Sequence, residues 1–276
     1  MNVAAVLSTK NRYEELRRCL DSLRRQTRKP DELVVVDADA DDRIRALVES
    51  QAPIFSSVRY LPFPSSLTQA RNHGIKNSAS DIVVFIDDDL VLEPDFIREI
   101  AKPIEEREDL AGATGNITNH PRTSGCLKKG IQYFFQLPYD GDGTFRLSGA
   151  PTTTCGLPED RLVEFMPGGI TAWRRTVFSE FLFDESLPGL GINEDVDFSY
   201  RVSRKWKNFY ASGARAAHER PSLDREGTLA YLRLELASYW YLYRKNQPKT
   251  PWHFAAFLWH LCGVFIRFSF RRFLRS

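Results

Sequence analysis

Cysteine is scarce and scattered. The chain has four in 276 residues (Cys19, Cys126, Cys155 and Cys262). No two have zinc-knuckle spacing, and nothing in their placement builds a disulfide framework. A reducing compartment fits this pattern. Neither sign of charge is in excess: the net charge of +2 lacks the basic footprint of a general nucleic-acid binder, so no nucleic-acid partner is expected. Glycine is missing from the stretch after the first predicted strand, Ser8-Thr9-Lys10-Asn11-Arg12, where an α/β nucleotidyltransferase would carry a Gly-rich phosphate loop. The longest apolar run, residues 254–266, falls short of the ~20 residues that a membrane-spanning helix needs. Residues 3–7 are too short for a secretory hydrophobic region, and polar residues follow at once. Internal repeats and low-complexity segments are also missing. What is there, 42% hydrophobic and 27% charged residues, is the composition of an ordinary globular protein. The length suits one large domain or two small ones.

The centre of the chain is Ile82-Val83-Val84-Phe85-Ile86-Asp87-Asp88-Asp89-Leu90. A β-branched apolar run of this kind reads as a buried strand, and its carboxyl end is where open α/β sheets bind ligands. In extended chain Asp87 and Asp89 point the same way. Crowded carboxylates repel, and a hard divalent cation relieves the repulsion. A metal site holding a diphosphate is therefore expected here; a solvated acidic turn capping the next helix is the bland reading.

Upstream, residues 3–7 and 33–36 read as buried strands. Between them Leu16, Cys19, Leu20 and Leu23 fall on one helix face, with Asn11 as N-cap and Glu14 closing a capping box. A short helix around Ile44, Leu47 and Val48, a strand over 58–63 and a helix over 67–77 complete an alternation that predicts a mostly parallel sheet. Its strand ends gather Ser8-Thr9, Asp37, the loop with Asp39, and Asp87. Asp37 either accepts hydrogen bonds from a base or ribose or caps the next helix. Arg71 either forks onto phosphate or base or makes a surface ion pair.

Ser8-Thr9-Lys10-Asn11-Arg12, Val35-Val36-Asp37, Gln69-Ala70-Arg71-Asn72-His73-Gly74 and Phe85-Ile86-Asp87-Asp88-Asp89 occur in the order and spacing of family 2 glycosyltransferases, which the chain resembles over roughly residues 1–220. The resemblance implies a GT-A fold, a Rossmann-like α/β sheet flanked by helices, and a nucleoside-diphosphate sugar as donor. It implies donor contacts at Ser8, Thr9, Asn11, Arg12, Asp37, Asp39, Arg71 and Asp88, and Mn2+ or Mg2+ held by Asp87, Asp89 and His218. One departure is Asp37-Ala38-Asp39-Ala40-Asp41, where many relatives carry a Gly-Ser pair; the identity of the base stays open.

Downstream, a helix over about 93–106 and a strand over 110–117 are expected. Residues 118–160 read as irregular, with 148–154 either a lid or simply disordered. In Met166-Pro167-Gly168-Gly169-Ile170 the paired glycines allow positive φ and close backbone approach. They precede an Arg174-Arg175 helix start, and the resemblance makes Gly168 and Gly169 acceptor-binding. Asn193 reads as a cap for a helix beginning with Glu194 and Asp195, where negative charge is favoured. Residues 187–191 before it read as a flexible segment that moulds around a ligand. By the resemblance Asp195 is the catalytic base, and Glu194 orients acceptor or base. His218 ends a small-residue strand and reads either as a structural residue or as a ligand; Arg220 is placed to help hold the diphosphate.

These readings give three parts: 1–115 as nucleotide-sugar-binding half, 116–221 as acceptor-binding half of the same domain, and 222–276 as helical extension. In the extension, aromatic and basic residues through Arg267, Arg271, Arg272 and Arg275 suit an anionic membrane surface, against a buried helix hairpin or a dimer contact. The expected protein is an inverting, metal-dependent glycosyltransferase acting on a carbohydrate or lipid-linked hydroxyl, peripheral on the cytoplasmic face of the membrane. A sugar nucleotidyltransferase or a non-catalytic nucleotide-sugar-binding scaffold is the alternative.

Overall fold

The computed structural model describes residues 1–120, 126–188, 191–219 and 228–273, with no side chains described at 126 or 270–273. Arg220 and Arg275 lie outside the described residues, as do positions 189 and 190 of the expected flexible segment.

The first half alternates as its hydrophobic pattern dictates: β1 (Val3–Thr9), α1 (Tyr13–Arg24), β2 (Glu32–Asp37), α2 (Asp42–Glu49), β3 (Ser57–Pro62), α3 (Leu67–Lys76) and β4 (Ile82–Asp87). Leu16, Cys19, Leu20 and Leu23 are all buried on one face of α1. The strands β3, β2, β1 and β4 are mutually parallel. The near-continuous burial of β1, β2 and β4 is what a parallel sheet covered on both faces requires. Register pairs Thr9 with Asp37 and Ser8 with Asp87, so the expected strand ends do meet.

The second half supplies β5 (Leu90–Leu92), α4 (Phe96–Glu106), β6 (Leu110–Ile117), α5 (Cys126–Phe134), β7 (Arg161–Val163), β8 (Ile170–Arg174), a 3-10 turn (Arg175–Ser179), α6 (Glu194–Ser203) and β9 (Lys207–His218). The sheet continues from β4 through β8, β6, β9 and β5, with β7 on β9. Here the pairing is mixed: β8 runs antiparallel to β4 and β6, while β6 and β9 are parallel. Reversal at β8 brings its amino end, Gly168-Gly169, beside the carboxyl end of β4. The Asp87 N–H donates to the Gly169 carbonyl at 2.9 Å. Likewise β5 pairs antiparallel with β9 and sets Leu90 opposite His218.

Two helices follow, α7 (Leu229–Asn246) and α8 (Pro251–Phe273). They form a hairpin stacked through Tyr243 and Phe257 (ring centroids 4.4 Å apart). No described helix is long and apolar enough to cross a membrane.

Several local expectations change. Arg12, not Asn11, occupies the N-cap of α1, without a side-chain cap, and Asn11 sits at φ 53°. Glu14 pairs instead with Arg17 at 3.0 Å. The capping box lies at α3, between Ser66 and Gln69. Residues 148–154 are not disordered: Ser148, Ala150, Thr152 and Thr154 are buried, and the segment bridges back to Asp140 and Phe145. The helix expected at Arg174-Arg175 is the end of β8 and a 3-10 turn.

Candidate active site

Strand β4 ends at Asp87, and Asp88 and Asp89 turn away from it. The alternation that would aim Asp87 and Asp89 alike therefore stops one residue too early. Each acid instead finds its own partners. Asp88 is buried and accepts from the Thr9 hydroxyl at 2.7 Å and from Arg12 at 2.9 Å. Burial raises its pKa to about 6 against the pull of those two bonds. Asp89 meets Arg12 at 3.1 Å and the His218 Nε2 at 2.9 Å. Burial would raise its pKa, but His218 and Arg12 outweigh that and hold it below the usual range. The backbone of His218 is fixed in turn by Asn119, whose Oδ1 accepts from the His218 N–H at 2.8 Å while its amide donates to the carbonyl at 3.0 Å.

Asp87 faces the other way. Its carboxylate is half exposed and lies 3.4 Å from the Arg71 guanidinium. Arg71 is buried and also ion-pairs with Glu194, 123 residues further along the chain. Burial would lower its pKa, but Glu194, Asp87 and Asp195 keep it charged. It lies beside the faces of Phe85 and Phe183 (5.7 and 5.3 Å to the centroids).

The paired glycines make this junction possible. A Cβ on Gly168 would stand 2.4 Å from Arg71 Nη1 and 2.6 Å from Glu194 Oε1; one on Gly169 would stand 1.9 Å from Asp87 Cγ. Neither glycine adopts a positive φ, so close approach alone demands them, and the groups that approach are the protein's own Asp87, Arg71 and Glu194. The Gly168 N–H also donates to Asp195 Oδ2 at 3.2 Å. Two consecutive residues thus touch both acidic clusters. Asp195 is half-buried at the start of α6. Burial and neighbouring Glu194 raise its pKa to about 7, against Arg71 and the amides of Gly168 and Val196.

On the far side, Asp37 is fully buried and accepts from the amides of Asp39 (3.0 Å) and Asp41 (2.8 Å) and from the Tyr60 hydroxyl (2.8 Å). It shapes the loop from within; Asp39 is the exposed acid at this rim. Asp41, by contrast, caps α2 through the Arg43 amide at 2.8 Å. Ser8 lies between the ends of β2 and β4, and Asn11 is exposed beyond β1.

Sequence reasoning missed what holds α6. Asn193 stands at its N-cap position at φ 64° but does not cap; its amide donates to Ser238 Oγ on α7 at 3.1 Å, and Ser238 donates to the Ile192 carbonyl at 2.8 Å. The fully buried Asp197 meets Arg201 at 2.7 Å, Lys245 at 2.9 Å and Asn246 at 2.9 Å. Lys245 also reaches Asp184. Asn72 clamps the Phe183 backbone with both of its amide atoms (2.9 and 3.0 Å). The only sequence signal was the run of polar residues at the end of an aromatic helix.

The Asp89 and His218 donors suit a divalent cation. Neighbouring ligands of a six-coordinate ion with ~2.1 Å bonds stand about 3 Å apart, close to their 2.9 Å separation. No group of three or more His, Cys, Asp or Glu that could hold a metal occurs among the described residues. The remaining ligands would be phosphate oxygens and water, the usual arrangement at phosphate-bound Mg2+.

Comparison with known proteins gives the family and the fold. The model of glycosyl transferase family 2 matches residues 4–182. The chain is 29% identical over 147 residues to glycosyltransferase GlyA of Streptococcus pneumoniae, covering 52% of this chain and 21% of that protein. It is 32% identical over 105 residues to the uncharacterised glycosyltransferase YwdF of Bacillus subtilis, covering 38% of this chain and 39% of that one. The chain thus spans less than half the length of these relatives. Among solved structures, the mannosyltransferase PcManGT from Pyrobaculum calidifontis, in complex with GDP-Man and Mn2+, superposes with a TM-score of 0.63 at 13% identity, covering 95% of this chain and 70% of that one. GalNAc-T7 with UDP, GalNAc and Mn2+ gives a TM-score of 0.64 at 16% identity, covering 91% and 52%. At such identities the likeness is one of fold, which is GT-A. With the family model matched over most of the chain, the chain belongs to glycosyl transferase family 2.

Proposed function

We propose that this chain transfers a sugar, with inversion, from a nucleoside-diphosphate sugar to a hydroxyl acceptor in cell-surface polysaccharide or glycolipid synthesis. One observation carries the reading: adjacent residues Gly168 and Gly169 contact Asp195 on one side and Asp87 on the other. Asp87 leads directly into Asp88 and Asp89, so this contact supports reading the proton acceptor and the cation-holding acids as parts of one site.

Transfer requires a weakly nucleophilic hydroxyl to attack an anomeric carbon. Asp195 accepts the hydroxyl proton; a pKa of about 7 suits a base at neutral pH. Glu194 and Arg71 position it and tie its helix to the end of β4. Asp89 and His218 would hold Mn2+ or Mg2+, with Asp87 nearby; when bound, the cation offsets charge on the departing diphosphate. Thr9 and Arg12 keep Asp88 and Asp89 in place. The loop shaped by Asp37, with Asp39 exposed, takes the nucleoside along with Ser8 and Asn11, and Gly168-Gly169 lines the acceptor side. Attack from the Asp195 side, opposite the diphosphate, inverts the anomeric centre. The acceptor is a carbohydrate or a lipid-linked sugar, and the chain works on the cytoplasmic face of the membrane, attached peripherally through residues 222–276.

A panel of nucleotide sugars, with and without Mn2+, tests this. Release of nucleoside diphosphate with one donor, dependent on the ion, is the expected result. Pyrophosphate formation would point to a nucleotidyltransferase, and binding without turnover to a scaffold.

A further inference from the structure

Helix α8 is apolar on both sides. Its inner stripe is spent on the protein: Phe257 stacks on Tyr243, His260 Nδ1 lies 2.9 Å from the Gln136 carbonyl, and Val264 is buried beside Leu137 and Leu232. Its outer stripe follows the same helical spacing and, Trp259 apart, has no ring or hydrogen-bond partner within the described residues. Trp252 is 75% exposed, and Leu258, Trp259, Phe265 and Ile266 are each 40–49% exposed. A helix that is apolar all round belongs inside a large core or against lipid.

Helix α5, from the acceptor half, extends this face. Leu127, Ile131 and Phe134 recur at helical spacing and are 79%, 42% and 60% exposed. The Trp259 indole N–H donates to the Phe134 carbonyl at 2.7 Å, and the two rings meet edge to face at 5.0 Å. The two helices therefore present one surface, and a patch of this kind marks an interaction site.

Charge decides what covers it. Neither helix contains an acidic residue. Lys128 and Lys129 are exposed on α5, and the sequence adds Arg271 and Arg272 to α8, whose Arg267 is already paired with Glu235 of α7. A second copy applied to this face would set bases against bases with no carboxylate from either helix to neutralise them. An anionic lipid surface offers both an apolar layer and the missing negative charge. We propose that α5 and α8 together dock on an anionic membrane surface, lying in its plane. The proposal rests on the peripheral attachment given above and extends it from the tail to the acceptor half, so the catalytic domain itself touches lipid.

Flotation of the full chain with vesicles tests this without any donor. It is expected to float with phosphatidylcholine vesicles containing phosphatidylglycerol and not with phosphatidylcholine alone. Leu127→Glu and Phe265→Glu, both at exposed positions, are each expected to weaken binding about tenfold or more. Reversing Lys128 and Lys129 to Glu is expected to weaken it and flatten its salt dependence. Circular dichroism shows whether each variant folds, and either apolar variant suffices. Failure to float, equal flotation with both lipids, or a dimer that Phe265→Glu splits would each overturn the proposal. Nucleoside diphosphate release from a soluble donor is expected to be unchanged in Leu127→Glu. In the unsubstituted chain, no flotation with release intact overturns the surface alone, and no release with flotation intact overturns the transferase reading alone.

Discussion

Asp89 and Asp195 are the same side chain under opposite control. Both are withdrawn from water, which by itself favours the neutral acid. Asp89 has His218 and Arg12 against it and stays ionised below the usual range. Asp195 has Glu194 as a neighbour, and Arg71 and two amides compensate only in part, so its pKa is held near neutrality, at about 7. Two carboxylates whose environments drive their pKa values apart divide the labour of a site. In the proposed reaction one keeps a fixed negative charge for a cation, and the other takes up and releases a proton. Arg71 ties the regions together by pairing with Asp87 on one side and Glu194 on the other.

Breaking that tie gives the largest expected effect. Arg71→Met leaves Glu194 without its partner in a buried setting, at a cost of about 3–5 kcal/mol, read by denaturant unfolding. Arg71 also lowers the pKa of Asp195, so residual activity should need higher pH than in the parent. Gly169→Ala drives a methyl into Asp87; a loss of about 2–3 kcal/mol is expected from overpacking, together with loss of transfer. Lys245→Met removes one of three partners of the buried Asp197. A loss of about 1–2 kcal/mol is expected, with a rise in acceptor KM as the α6 start loosens. The smallest effect has the opposite sign. A carboxylate whose folded pKa is raised binds its proton more tightly folded than unfolded, so it costs stability above pH 7 and nothing below about pH 4. Asp195→Asn is therefore expected to gain about 1 kcal/mol at pH 8, discounted for partial exposure, and to gain nothing at pH 4. Thermal unfolding at the two pH values checks this.

The donor half was legible because its instructions are local. The α1 face of Leu16, Cys19, Leu20 and Leu23 and the apolar strands between helices each follow from a repeat of a few residues, and parallel pairing then gathers Ser8, Asp37 and Asp87 at one sheet edge. Legibility failed where backbone geometry departs from the repeat. The turn after Asp87 undid the alternation argument for the acidic triplet, and a positive φ at Asn11 and at Asn193 removed both expected caps. It failed again where contacts are remote. Nothing local in Lys245 or Ser238 announces that they hold the start of α6, and the reversal of β8 that gives Gly168-Gly169 its task is a property of the whole sheet. The family resemblance supplied Asp195 as the proposed base, and its raised proton affinity comes from burial and Glu194, which no local repeat encodes.

In the proposed reaction Asp195 removes the acceptor proton, with the cation held by the acids that follow β4. Transfer rate and donor affinity of Asp195→Asn, measured side by side in Mn2+, test it most directly. Transfer reduced by about 10²–10⁴-fold with donor affinity unchanged is the expected result. Transfer at the parent rate would contradict it.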